Sequence, residues 1–89
     1  MFEVIIKYPT PDGYCDYKIT AEKTRFGRGS GADLRFADEG MSRLHATIYR
    51  DGDRVWIVDE NSANGTYVNQ ERVAATGTPL RDGDTILLG

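Results

Sequence analysis

Three stretches of this 89-residue chain carry residue types suited to holding an anion. The first is Phe26-Gly27-Arg28-Gly29-Ser30-Gly31. Glycines let backbone N–H groups approach an anion closely, and arginine adds a forked cation that matches its oxygens. No Lys-Ser or Lys-Thr pair follows, and the third glycine and helix of a dinucleotide site are missing, so neither nucleotide signature fits. Taken alone, the stretch reads as a flexible turn with a solvated arginine. The second is Met41-Ser42-Arg43-Leu44-His45-Ala46, where one hydroxyl and one guanidinium precede an apolar run. That pair suits a tetrahedral oxyanion. The third runs from Asp59-Glu60-Asn61-Ser62 through Ala63-Asn64-Gly65-Thr66. Its Asn-Gly pair suits a turn that needs positive φ, and alone it reads equally as a plain hairpin turn.

The same residues also allow a catalytic reading. His45 is the only histidine. With Ser42 as nucleophile and Asp59 as orienter it would complete a triad. Nothing around Ser42 resembles a nucleophile elbow, and a serine three residues before a histidine is a common coincidence. The simpler role for His45 is a buried imidazole that bonds backbone and fixes the neighbouring loop. No cysteine–histidine set could hold zinc. Asp51-Gly52-Asp53-Arg54-Val55 is too apolar at its fifth position for a calcium loop. The sequence therefore implies no metal and no cofactor.

The elements that must position these stretches are short strands. Turn signals recur every 8–12 residues: Pro9 to Gly13, Asp51-Gly52-Asp53 and Asp82-Gly83-Asp84. Between them lie segments rich in β-branched and aromatic residues, at 2–8, 14–20, 24–27, 34–36, 45–49, 54–59, 66–68 and 85–88. Several alternate with period two. Phe2, Val4 and Ile6 oppose Glu3 and Lys7, and Cys15, Tyr17 and Ile19 oppose Tyr14, Asp16 and Lys18. In 54–59, either Val55 with Ile57 or Trp56 with Val58 supplies the core face. Many short strands at regular spacing predict an all-β sandwich or barrel in a single domain spanning 1–89. Only Ala21-Glu22-Lys23 tolerates a helix, and it is too short to matter.

Composition narrows the function classes. Apolar residues make up 39% and charged residues 28%, an ordinary globular balance. The formal net charge is −3, so the basic surplus of a nucleic-acid binder is missing and any anion must be met by a local cluster. No apolar run is long enough to span a membrane, and the first residues do not read as a signal peptide. Cys15 is the only cysteine. These points place the chain in the cytoplasm.

Taken together and in this order, Gly27-Arg28, Ser42-Arg43-Leu44-His45 and Ser62-Ala63-Asn64-Gly65-Thr66 resemble the forkhead-associated (FHA) domain. Asp33 and the ending from Leu80, with Asp82-Gly83-Asp84-Thr85-Ile86, are similar too, so the resemblance covers nearly the whole chain. It implies an antiparallel β-sandwich of about eleven short strands with binding loops at one end. It implies recognition of phosphothreonine in an extended peptide, without catalysis. By position, Arg28 and Ser42 resemble the phosphate ligands, and Arg43 an auxiliary contact to phosphate or peptide. Asn64 resembles the residue that bonds the peptide backbone. Gly27, His45 and Gly65 resemble the residues that shape the loops. The implied partner is a phosphothreonine-containing protein or peptide that is a Ser/Thr kinase substrate.

Two features depart from the family pattern. Many relatives carry a hydroxyl where this chain has Ala63. The chain also stops at Gly89, where relatives usually add one more strand. Either the chain is a fragment of a longer protein, or the sheet edge is left open for pairing. The competing function is a phosphate-independent interaction module that uses a sheet face or that edge.

Overall fold

The computed structural model describes residues 4–10, 13–36, 41–74 and 76–88. Phe2, Pro11, Asp12 and Gly89, and the side chains of Val4 and Ile6, lie outside what is described. Ten strands are present among the described residues: β1 (Val4–Thr10), β2 (Gly13–Ile19), β3 (Lys23–Gly27), β4 (Leu34–Arg35), β5 (Ala46–Asp51), β6 (Arg54–Asp59), β7 (Thr66–Val68), β8 (Glu71–Arg72), β9 (Thr78–Pro79) and β10 (Ile86–Leu88).

They form two layers. One is a five-stranded sheet in the order β4-β3-β5-β6-β9. The other joins the β1-β2 hairpin to a β10-β7-β8 sheet. A single bridge between Lys7 and Thr85 makes that junction, and Lys7 N donates to the Asp84 carbonyl at 3.1 Å. That bridge is parallel, and among the strand pairs described β3 and β4 are parallel too, with Phe26 beside Leu34 and Gly27 beside Arg35; the others are antiparallel.

Alternation along the strands builds the core. On β5, Ala46 and Ile48 point inward, and on β6, Val55 and Ile57 do. These two strands pair with Ile48 opposite Ile57, so a one-residue slip of either would turn its inner row outward. Trp56 therefore takes the outer face, where it stacks on Tyr49 at 5.6 Å between ring centroids. Ile19, Phe26 and Ile86 complete a cluster with Met41, Val68, Val73 and Leu80. Fully burying a side chain such as Phe26 or Ile57 contributes about 1.5–3 kcal/mol. At the far end of the β1-β2 hairpin Cys15 is exposed, although it shares the face of Tyr17 and Ile19.

The loops of interest leave one end of this frame. The 28–33 segment joins β3 to β4, residues 41–45 lead into β5, and residues 60–65 join β6 to β7. The first two run side by side like a short ladder. His45 N donates to the Phe26 carbonyl at 2.8 Å, Arg28 N to the Ser42 carbonyl at 3.0 Å, and Gly29 N to the Arg43 carbonyl at 3.0 Å. Gly27 makes this approach possible. A Cβ there would sit 2.0 Å from the Arg43 carbonyl oxygen, which no real contact allows.

Gly27→Ala must therefore push residues 41–45 away from β3. Overpacking of this kind costs about 1–3 kcal/mol. In a domain of this size each kcal/mol lowers Tm by roughly 4–8 °C. Gly31→Ala is the matched control, because a Cβ there meets nothing within 4 Å. Thermal unfolding should separate the pair; equal melting temperatures would contradict the close approach.

Candidate functional site

Buried polar groups hold the three loops together. His45 is fully buried. Its Nδ1 accepts a hydrogen bond from Ser42 N at 3.1 Å. The ring proton therefore sits on Nε2, which donates to the Gly65 carbonyl at 2.7 Å. One imidazole thus ties residues 41–45 to residues 60–65. Glu60 N reinforces the tie by donating to the His45 carbonyl at 2.9 Å.

Both ring nitrogens are consumed by backbone, so His45 has none left to activate the Ser42 hydroxyl. Asp59 is occupied elsewhere. Its carboxylate accepts from Ser62 N at 3.1 Å, from the Ser62 hydroxyl, and from Thr66 Oγ1 at 2.7 Å. The Ser42–His45–Asp59 set consequently forms no relay, and the catalytic reading fails on geometry.

Asp59 organises the third loop. Partial burial opposes its ionisation, but hydrogen bonds from the Ser62 and Thr66 hydroxyls and from Ser62 N outweigh that effect. They hold the carboxyl below the ordinary value of 3.8. The Ser62 hydroxyl, having donated to Asp59, accepts from Gly65 N at 3.0 Å. Gly65 turns the chain at φ 84°, the left-handed region where a side chain is strained. The Arg72 side chain packs against it, with Nε 3.2 Å from where a Cβ would stand.

On this base the polar groups of the sequence motifs face outward. Arg28 is exposed, and its Nε donates to the Met41 carbonyl at 3.2 Å. That bond anchors the stem of the guanidinium and leaves its two terminal nitrogens to meet an anion. Ser42 is half-buried, and its Oγ accepts from Ala63 N at 3.1 Å. A hydroxyl that accepts from one side is free to donate its own hydrogen on the other. Arg43 is exposed beside it, and Asn64 is exposed at the head of the 60–65 loop. Ala63 brings no side-chain hydroxyl here, and its backbone N–H orients Ser42.

The seven residues singled out by sequence divide cleanly. Gly27, His45 and Gly65 are buried and shape the loops, whereas Arg28, Ser42, Arg43 and Asn64 reach the surface. Sequence reasoning missed the part played by Ser62 and Thr66, and offered Asp59 only as a triad member. Two further arginines on this end, Arg25 and Arg35, carried no motif at all. Among the described residues, no group of three or more His, Cys, Asp or Glu could hold a metal ion. No helix among them is long and apolar enough to cross a membrane.

The lowered carboxyl of Asp59 makes a pH-dependent prediction. A group whose folded value lies below its unfolded one stabilises the fold above the unfolded value, and that contribution is lost as pH falls through the folded one. Asp59→Asn should therefore destabilise at pH 7, by about 1–3 kcal/mol for the loss of charge-assisted bonds. The gap between variant and wild type should begin to close once pH falls below 3.8. Urea unfolding at several pH values measures this; a gap that stays constant to the acid limit would show that the Asp59 charge does not hold the 60–65 loop.

Comparison with known proteins places this geometry. A family model described as the FHA domain matches residues 24–89. The chain is 37% identical over 79 residues to the oxoglutarate dehydrogenase inhibitor of Corynebacterium jeikeium, covering 89% of this chain and 54% of that protein. It is 41% identical over 73 residues to the FHA domain-containing protein FhaA of Mycobacterium tuberculosis, covering 82% of this chain and 14% of that one. The chain thus spans about half the length, or much less, of these relatives. A solved structure concerned with phosphothreonine-dependent FHA domain interactions matches with a TM-score of 0.78 and 36% identity, over 98% of this chain and 84% of the other. Mycobacterium tuberculosis EmbR, solved with a low-affinity phosphopeptide, matches with a TM-score of 0.80 and 31% identity, over 97% of this chain and 22% of that one. In sequence, in sandwich architecture and in the three loops at one end of it, the chain belongs to the FHA domain family.

Proposed function

We propose that this chain is a phosphopeptide-binding module that grips phosphothreonine in a partner protein and performs no catalysis. The observation that carries the reading is the convergence of Arg28, Ser42 and Arg43 on two loops laced together backbone to backbone. A guanidinium held at Nε by Met41, a hydroxyl whose acceptor side is already taken, and a second exposed arginine supply donors for three phosphate oxygens. A phosphothreonine brings about −1.5 to −2 charges and three strong acceptors. Each hydrogen bond to a charged group is worth roughly 1.5–3 kcal/mol, so two or three of them support micromolar binding after association costs.

Relatives add support. FHA domain interactions in one similar structure are phosphothreonine-dependent, and the FhaA FHA domain is seen complexed with the intracellular domain of Rv3910. Asn64, exposed next to Ala63, whose N–H meets the Ser42 hydroxyl, is the residue assigned to bond the peptide backbone, and its exposure supports that role. The whole chain acts as one domain in the cytoplasm, serving signalling or complex assembly through a Ser/Thr kinase substrate.

Two measurements test the reading. Arg28→Ala removes a fork that lysine could only partly replace. Affinity for a phosphothreonine peptide should fall at least tenfold, about 1.4 kcal/mol, with Tm retained. Calorimetric titration reads this directly, and unchanged affinity would sink the assignment of Arg28. The second compares phosphothreonine with phosphoserine in one peptide. The charges are identical, and one methyl transferred from water gives only about 0.8 kcal/mol, near fourfold. The stiff χ1 of a β-branched residue also holds the phosphate aimed before binding. A preference of at least tenfold is expected at fixed salt; equal affinities would mean that the site reads charge alone.

A further inference from the structure

Four of the eleven lysines and arginines of this acidic chain gather in one place. Arg25, Arg28, Arg35 and Arg43 line an open cleft of about 640 Å³, together with Gly29, Ser30, Gly31 and Leu44. No acidic side chain lines it among the described residues. Strand geometry explains the gathering. Arg25 and Gly27 share a face of β3, and Arg35 on β4 pairs with Gly27 in the parallel ladder. The glycine between them has no side chain, and the Arg43 backbone lies against it. Arg35 is turned toward the phosphate-binding loop, since its Nε donates to the Arg28 carbonyl at 3.1 Å. Arg25 leans on Asp33, whose carboxylate lies 3.6 Å from its Nε and also accepts from Arg25 N at 2.8 Å. Both of those side chains remain about half exposed.

The charge count exceeds what one phosphate requires. Among the described residues, four arginines and Asp33 sum to +3, from 4 − 1. A phosphothreonine supplies about −1.5 to −2, which leaves a surplus of about +1 to +1.5 in the cleft. Arg28 and Arg43 are the two placed on the phosphate, so the surplus resides at Arg25 and Arg35. One carboxylate balances it, and a guanidinium fork matches a carboxylate in two parallel hydrogen bonds. Leu44, 40% exposed on the rim, offers an apolar shelf for the stem of such a residue.

We infer that Arg25 and Arg35 form a second recognition subsite, selecting phosphothreonine that stands in an acidic sequence, with Glu or Asp beside it. This rests on the phosphothreonine reading and deepens it. The partner is then an acidic peptide segment carrying the mark. The subsite also explains how a chain of net charge −3 receives an acidic ligand. Repulsion from distant carboxylates is screened beyond about 8 Å at physiological salt, while the arginines act at contact.

The test uses the chain as it stands and four synthetic peptides sharing one central phosphothreonine. One has neutral flanks, one a Glu pair before the mark, one a Glu pair after it, and one a second phosphothreonine in place of the acids. At physiological salt at least one Glu peptide should bind about five- to tenfold tighter than the neutral one, the scale of two exposed charge pairs. In the Arg25→Gln/Arg35→Gln double variant that ratio should fall toward one, while the neutral peptide keeps its affinity. The ratio also cancels any loosening of Arg28 caused by the loss of Arg35. If the double variant fails to fold, two other readings decide. Arg25→Gln alone must lower the ratio, and the wild-type ratio must shrink near 1 M salt, where screening acts within about 3 Å. Equal binding of neutral and acidic peptides overturns the subsite, as does a ratio that survives the variants. A gain from the second phosphate alone overturns the carboxylate assignment and gives the cleft to a doubly phosphorylated ligand. Failure of the neutral peptide to bind at all is a separate result, which sinks the phosphothreonine reading itself.

Discussion

Everything at the binding end of this domain depends on one buried imidazole. His45 spends one ring nitrogen on Ser42 N and the other on the Gly65 carbonyl. Without it, two backbone groups from separate loops would face each other across a hole with no partner. Leaving a buried polar group unsatisfied costs about 1–3 kcal/mol. Satisfying both with a single rigid ring sets the distance between the loops to the width of that ring. The Ser42 hydroxyl and the Ala63 N–H then meet at 3.1 Å, and the distance from the serine to the head of the 60–65 loop follows from it.

A second constraint comes from glycine. Gly27 lets the Arg43 carbonyl sit where a side chain would otherwise stand, so residues 14 and 19 apart in sequence pair as a ladder. Because the 28–33 loop is bonded to its neighbour through the main chain, Arg28 and Ser42 hold their spacing without help from each other. A site preorganised in this way loses little conformational entropy on binding. The carboxylate of Asp59 plays the matching part for the 60–65 loop, and it does so with three donors rather than with the histidine.

Strands rich in β-branched and aromatic residues between turn signals are legible in the sequence, two of them to the residue. The pattern predicts a strand over 54–59, the bounds that β6 has, and one over 66–68, which matches β7. The two-residue strands β8 and β9 escape it, because two residues carry no period. Nor can pattern choose between the two faces of 54–59, since Val55, Trp56, Ile57 and Val58 are all apolar; pairing of Ile57 with Ile48 decides it. The reading of His45 as a structural imidazole agrees with its two backbone bonds. Asp59 is legible only as a carboxylate near a serine and a histidine, because its partners Ser62 and Thr66 reach it only after the loop has folded back. Arg25 and Arg35 stand in no motif. Their proximity comes from a parallel pair of strands, and a parallel register leaves no mark in local spacing.

That last point separates two kinds of side chain at this end. The side chains proposed to meet the phosphate sit on loops fixed by buried bonds, but Arg28 and Arg43 are themselves exposed, so the frame beneath them does not depend on their guanidinium groups. The outer arginines stand on strand surfaces, about half exposed in the case of Arg25, and their loss removes charge while the core beneath, built on Phe26 and Ala46, keeps its packing. An exposed charge contributes little alone, of order 0.2–1 kcal/mol, and more of its effect falls on encounter and discrimination than on holding. A rigid frame of buried groups and an exposed fringe of arginines above it therefore follow from the fold. The loop frame is tied to the stability of the domain through Gly27, His45 and Asp59, and the exposed arginines around it are free to change without disturbing that frame.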